Sequence, residues 1–359
     1  EQGTENPRVG GSTPSLATIQ SGRQHKIRPR RLKPGDVIGI CSPAWCGPAL
    51  FPQRFEKGIS TLKACGYRVK VATNARNRRG YVSDTAERRI EDLHELFSDD
   101  EVAMVLTSIG GDHSNQLLDG IDYDLVRKHP KIVMGFSDVT ILLLALWQRA
   151  DLIGFHGPTL MTDFAEFPSI SDYAMKSWLD VVSRPSPVLL SAPPFYTDEF
   201  VDWATSESQQ RARKAVEMPG WSWLHEGLPS EGVLLGGCIE ALEHLRGTPY
   251  WPQWDGAILM LESSTRGLGA GRLEATLTDY RMMGVFDRIQ GLVLGRVAGS
   301  STSDVAALHA VVREATRAYS FPVLVDVDLG HTTPMLTLPI GGRVRLGGGL
   351  FELLEPAVT

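Results

Sequence analysis

From residue 37 onward, short runs of apolar and β-branched residues alternate with longer stretches in which apolar positions recur every three or four residues. The short runs fit strands buried on both faces, and the longer stretches fit amphipathic helices. Their alternation predicts βα units laid on a parallel sheet. Strands are expected over 37–41, 67–72, 103–109 and 131–136, with helices over 51–64, 85–97 and 139–150. Gly66 follows the first helix, where glycine relieves the strain of a left-handed cap, and Asp84 precedes the second as a candidate N-cap. The segment VTILLLALWQRA over 139–150 is apolar on several faces, which predicts a helix enclosed by the domain.

After Pro158 this rhythm is lost. Residues 165–230 carry many Pro, Ser, Trp and charged positions, with one helix expected over 174–182, and read as connecting loops that cover a site. Order resumes near Gly232, with strands expected over 233–235, 257–261, 292–294 and 323–325 and helices over 273–283 and 305–319. The closing stretch LTLPIGGRVRLGGGLFELLEP alternates around paired glycines like a hairpin. The expected architecture is α/β: an N-terminal parallel-sheet α/β domain over 27–165, connecting loops and lid over 166–230, and a smaller β-rich α+β domain over 231–359. A site at the interface between the two domains follows from it.

Composition narrows the function classes. The 359-residue chain is long enough for two domains. Its net charge of -6 argues against nucleic acid as a partner, since phosphate-binding surfaces leave a basic excess. The HKIRPRR run from His25 reads as a solvated lead-in. Cys41, Cys46, Cys65 and Cys238 include no CxxC pair and are expected to be free thiols. No apolar run reaches the ~18 residues that span a bilayer, and residues 1–26 lack the apolar core of a secretory signal, so they read as a flexible tail. A cytoplasmic protein without a membrane partner is the expectation.

Ser137 lies in KIVMGFSDVTILLLAL, between an expected strand and an expected helix, with Gly135 two residues earlier. Such a turn lifts a hydroxyl out of the backbone and aims helix N–H groups at the same spot. A serine here can equally be a helix cap. As a nucleophile it would need a histidine base and an orienting carboxylate. His331, beside Gly330 and past the 323–325 strand, and Glu262, closing the run AILMLE, are candidates at strand ends. Each alone reads as a turn histidine or a solvated charge; together they supply base and acid. An oxyanion hole needs two bare donors, and the N–H groups of Gly111, in TSIGGDHSNQLL, and of Asp138 are assigned that role.

The segments LKPGDVIGICSPA, IGGDHSNQLLDGIDYD, GFSDVT, HGPTLMTDFAE, LLGG, AILMLE, GVFDRIQGLVLG and GHTTPMLTLPIG together resemble the LD-carboxypeptidase family, from Leu32 across nearly the whole chain. The resemblance implies a serine peptidase without cofactor or metal, often dimeric, whose triad maps onto Ser137, Glu262 and His331. The GGDHSN stretch and the insert YTDEFVDW are closer to the microcin C7 immunity branch, whose members cleave an amide between an acyl amino acid and a nucleotide-like group. Ser114, Asn115, Phe195 and Trp203 are then the implied substrate-binding positions, the two aromatics stacking on the base. Where the family has Asn after LLGG, this chain has Cys238, a weak thiol donor that bears on substrate preference.

The expected substrate is thus a small peptide or aminoacyl-nucleotide amide, with a murein tetrapeptide as the alternative. Two readings of other classes remain. A ureohydrolase-like manganese site would use His113 with Asp326 and Asp328, but it also needs an Asp-Ala-His-x-Asp segment, and no histidine here has aspartate two residues away on both sides. A non-catalytic peptide or nucleotide binder would keep the fold without turnover.

Overall fold

The computed structural model describes residues 26–359. All but the last residue of the expected 1–26 tail lie outside the described residues. The described chain begins anchored: Lys26 lies 2.6 Å from Asp151, Arg28 2.6 Å from Glu355 and Arg30 2.8 Å from Asp36. The described cations of the basic run therefore include three that pair with acids of their own chain.

Strands β1 (Val37–Cys41), β2 (Arg68–Val71), β3 (Val102–Thr107), β4 (Ile132–Gly135) and β5 (Gly154–His156) form a parallel sheet in the order β2-β1-β3-β4-β5. Helices Pro52–Ala64, Ala86–Ser98 and Val139–Ala150 occupy the expected places. The second is capped by Thr85, which accepts the Arg88 N–H at 3.3 Å; Asp84 accepts the Thr85 N–H instead. The strand expected over 103–109 ends at Thr107, which frees residues 108–111 to form a loop at the sheet edge.

The stretch 165–230 holds the Asp172–Val182 helix and four short strands: β6 (Val188–Leu189), β7 (Phe195–Tyr196), β8 (Val216–Glu217) and β9 (Ser222–His225). The second sheet is built on the parallel strands β10 (Ser230–Cys238), β11 (Ala257–Glu262), β12 (Gly291–Gly295) and β13 (Val323–Val327). β9 joins β13 antiparallel at one edge. Its sequence SWLH is half-buried and lacks a two-residue apolar alternation, so its pattern gave no strand signal.

The last segment departs from a simple hairpin. β14 (Leu338–Ile340) crosses to the first sheet and pairs antiparallel with β5, while β15 (Arg343–Gly347) and β16 (Leu350–Leu353) form the hairpin in the second. The crossing turns at Gly341, with φ of 93°, where a Cβ would sit 2.2 Å from Trp147 Cδ1.

The Val139–Ala150 helix is what holds the two sheets together. Every residue from Val139 to Leu146 is buried, as expected of a helix apolar all round. Truncating one of its leucines would cost about 2–5 kcal/mol by the usual large-to-small rule. Thr140 Oγ1 accepts the Cys238 N–H of β10 at 3.0 Å, and a Cβ on Gly237 would lie 2.3 Å from that oxygen. The C-terminal ends of β4 and β10 therefore meet, and loops leaving parallel strands at such ends are where open α/β sheets carry sites. Among the described residues, no helix is long and apolar enough to cross a membrane.

Candidate active site

Ser137 follows β4 directly and has φ of 61°, one of three non-glycine residues described in the left-handed region. A non-glycine residue held there carries about 1–3 kcal/mol of strain, which surrounding packing must offset. The packing is visible: a Cβ on Gly135 would sit 2.3 Å from Thr107 Oγ1, and one on Gly110 3.0 Å from Ser137 Cβ. Ser137 is partly exposed, and among the described residues its hydroxyl makes no hydrogen bond. It does not cap the helix.

Asp138 does not cap it either. Its buried carboxylate accepts the His113 N–H at 3.1 Å, the Ser114 N–H at 2.9 Å and the Ser114 hydroxyl at 2.6 Å, locking the loop after β3 against the turn. Burial pushes the Asp138 carboxyl above its usual range, and these three donors oppose the shift. Ser114 is thus buried, with its hydroxyl donating to Asp138, while Asn115 is exposed, and neither lines the cleft beside His331 or the pocket beside Gly111. Gly111, with φ of 148°, lies so close to the next loop that a Cβ would be 2.8 Å from Ala44 Cβ and from the Trp45 nitrogen. Among the described residues, neither the Gly111 N–H nor the Asp138 N–H has a hydrogen-bond acceptor.

The second sheet supplies the other half. Glu262 ends β11 with no exposed surface, and its Oε2 lies 2.8 Å from His331 Nδ1. His331 sits in the loop after β13, where Gly330, with φ of 97°, leaves room for the pair: a Cβ there would be 2.4 Å from Glu262 Oε2. Burial alone would lower the His331 pKa, but the charge of Glu262 and its hydrogen bond outweigh it, so the imidazole lies above its ordinary value. With Nδ1 held by the carboxylate, Nε2 is left for a second partner. The His331 ring meets Phe136, the neighbour of Ser137, at 4.9 Å between centroids. Among the described residues no hydrogen bond joins Ser137 to His331; the Phe136 contact is one place where the two halves of the site meet.

His156, at the end of β5, is a residue that sequence reading passed over although it opens HGPTLMTDFAE. It is fully buried, both ring nitrogens lack partners, and it lies 6.2 Å from Phe136. Burial first, with a smaller push from His331, brings its pKa down to about 4, so it is neutral near pH 7.

Cys238 stands in register with Glu262 across β10 and β11. Its thiol donates to Glu240 Oε2 at 3.1 Å, and Glu240 also accepts from Ser263, Ser264 and Thr265. Burial, then the charges of Glu262 and Glu240, push the thiol well up, so it stays protonated and inert. Burial would raise Glu240, yet its hydrogen bonds hold it down at about 2.

A cleft of 290 Å³ opens beside His331 and is walled partly by the 165–230 stretch. Trp203 lines it, with the Arg54 guanidinium 4.3 Å from its ring centroid and Phe51 edge-on at 5.7 Å. Arg54 and Arg213 both pair with Glu166, and Arg211 pairs with Glu199 at 2.8 Å. Asp163 is buried at the wall with neither carboxylate oxygen partnered, and burial raises it to about 6. Phe195 does not share this cleft: it lies on β7 in an adjoining groove, so the two aromatics do not form one stacking pair. Phe200, which is 71% exposed, lines the cleft instead. The manganese arrangement is also dispersed. Asp326 is 3.0 Å from His309, Asp328 accepts from Trp221, and His113 stacks near Tyr81. Among the described residues, no three His, Cys, Asp or Glu side chains gather to hold a metal ion.

Known proteins are similar to this chain along most of its length. Residues 38–157 match the LD-carboxypeptidase N-terminal domain, and residues 231–346 match the LD-carboxypeptidase C-terminal domain. The microcin C7 self-immunity protein MccF of Escherichia coli is 28% identical over 332 residues, covering 90% of this chain and 94% of that protein. The murein tetrapeptide carboxypeptidase of Pseudomonas aeruginosa is 27% identical over 318 residues, covering 87% and 93%. A solved complex of MccF with aspartyl sulfamoyl adenosine superposes with a TM-score of 0.86 at 26% identity, covering 93% of this chain and all of that one. With matches to both halves and two sheets meeting at the strand ends, this chain belongs to the LD-carboxypeptidase family of peptidases.

Proposed function

We propose that the protein is a serine hydrolase that cleaves an amide bond next to an acyl amino acid, with Ser137 as nucleophile, His331 as base and Glu262 as the orienting acid. The observation that carries this reading is the strained Ser137, unbonded at the strand-to-helix turn, beside a histidine already tied to a buried carboxylate. His331 Nε2 takes the hydroxyl proton as Ser137 Oγ attacks the carbonyl carbon, and Glu262 keeps Nδ1 protonated. The Gly111 and Asp138 N–H groups receive the negative oxygen. His331 then passes the proton to the leaving nitrogen, the C–N bond breaks, and water releases the acyl group from Ser137 by the reverse sequence.

The favoured substrate is an aminoacyl- or peptidyl-nucleotide amide. Two supports bear on it: the aromatic Trp203 in the cleft beside His331, and the likeness to MccF, whose solved complexes contain aspartyl sulfamoyl adenosine and glutamyl sulfamoyl guanosine. A murein peptide is the second reading. It is favoured by Arg54 lying against one face of Trp203 and by Phe195 sitting in a different groove, which leave fewer aromatic faces for a base. Steady-state hydrolysis of aspartyl sulfamoyl adenosine against a murein tetrapeptide separates them. The nucleotide reading expects kcat/KM at least about ten-fold higher for the former; the reverse order would replace it with the murein reading.

A further inference from the structure

The cleft beside His331 serves one side of the nucleophile. The Gly111 loop walls a second, open pocket of 440 Å³, lined by Trp45, Tyr81, Gly111, Asp112 and His113. The two share no lining residue. The Ser137 turn lies between them, because Phe136 faces the first and Gly110, packed on Ser137 Cβ, adjoins the second.

Three segments build this pocket, and they are fastened to one another. The buried Arg89 donates from Nη1 to the Pro43 carbonyl at 2.7 Å and to the His113 carbonyl at 3.2 Å. The Trp45 N–H donates to the Gly110 carbonyl at 3.1 Å, and the 79–82 turn, whose tip carries Tyr81, is bridged to Trp45 through Val82. Tyr81 is 67% exposed, and its aromatic partner is the His113 ring at 4.8 Å. An exposed tyrosine on a turn, set against tryptophan and histidine, adds little to the core; it offers a face to something that enters.

The chemistry of that entrant follows from the lining. Aromatic faces carry negative electrostatic potential, Asp112 adds a carboxylate, and the lining contains no Lys or Arg. The cleft beside His331, by contrast, contains Arg54, Arg211, Arg213 and Arg266. In the proposed reaction the leaving nitrogen must stay near His331, so the acyl half runs past the Gly111 donor toward the aromatic pocket. We propose that Trp45, Tyr81, Asp112 and His113 form a subsite for a primary ammonium group on the acyl half of the substrate. That group is the α-amino group of an aminoacyl amide or the side-chain amine of a murein diamino acid. Which half enters the pocket rests on the hydrolase reading above.

Calorimetry on the full chain carrying Ser137→Ala tests the subsite without turnover. Two ligand pairs are used: aspartyl sulfamoyl adenosine with its N-acetyl derivative, and a murein tetrapeptide with the form acetylated on its diamino-acid side chain. At least one free amine should bind about ten-fold more tightly than its acetylated partner, the scale of a partly exposed cation held by aromatic faces and a carboxylate. Adding Asp112→Asn or Tyr81→Ala, both exposed positions, should bring that preference close to one. No preference in either pair, a preference that survives both substitutions, or no binding of any ligand would each overturn the subsite. Turnover by the wild-type chain is read separately. Hydrolysis without amine preference keeps the hydrolase reading and removes the subsite; amine-selective binding without hydrolysis does the opposite.

Discussion

The strand ends and the 165–230 stretch hold their side chains by different means, and meet at the cleft beside His331. Ser137, Glu262 and His331 leave strands buried in two sheets, and their positions are fixed by backbone: a left-handed turn at Ser137, a fully buried carboxylate at Glu262 and an obligatory glycine at Gly330. Trp203, Arg211 and Arg213 are held by side chains, through the Arg54 guanidinium and through ion pairs with Glu199, Glu207 and Glu166. Exposed ion pairs contribute little singly and weaken with salt. On the proposed reading, the chemistry belongs to the rigid wall, and the adaptable one bears on the leaving half of the substrate.

Substitutions at the rigid wall should have the largest effects. Ser137→Ala and His331→Ala are each expected to lower kcat by about 10⁴-fold or more, and the double variant by little beyond either, because the residues act as a unit. Stopped assays on the three proteins check this; additive losses would dissolve the unit.

Glu262→Gln should cost less, about 10²- to 10⁴-fold, since the imidazole remains but loses its orienting charge. This variant also carries the pH dependence. His331 must be neutral to accept the proton, and its pKa lies above 6.5, so kcat/KM should rise with pH along a limb whose midpoint is above 6.5. Removing the Glu262 charge should move that midpoint down. The same raised pKa stabilises the fold fully below pH 6.5, and that contribution fades as pH rises through the folded value.

The smallest effect belongs to the adaptable wall. Trp203→Ala should weaken processing of aspartyl sulfamoyl adenosine by about 5- to 100-fold, the worth of one base stacked on an aromatic ring, while sparing a small chromogenic amide. Equal losses on both substrates would make Trp203 a packing residue and erase the division between the walls.

The same division explains what could be read from the sequence. Strands and helices around β4, β10 and the Val139–Ala150 helix were legible because local periodicity and burial agree there. Ser137, Glu262 and His331 stood out as candidates because each lies at the end of a strand that announces itself, and the family resemblance joined them into a triad. The burial of Ser114 could not be read from the sequence, because its hydrogen bond to Asp138 spans 24 residues and leaves no local trace. Phe195 and Trp203 sit close in sequence, yet two-residue strand pairing carries Phe195 into another groove. β14 read as part of a hairpin because its alternation states that it is a strand, not which sheet it joins. His156 escaped notice because an isolated buried histidine has no pattern around it.

The most direct test of the account is the identity of the acylated residue. Acid-quenched enzyme, mixed for milliseconds with aspartyl sulfamoyl adenosine or the murein tetrapeptide and digested for mass spectrometry, should carry the acyl group on Ser137, and Ser137→Ala should carry none. An acyl group on any other residue, or near-native turnover by Ser137→Ala, would contradict it.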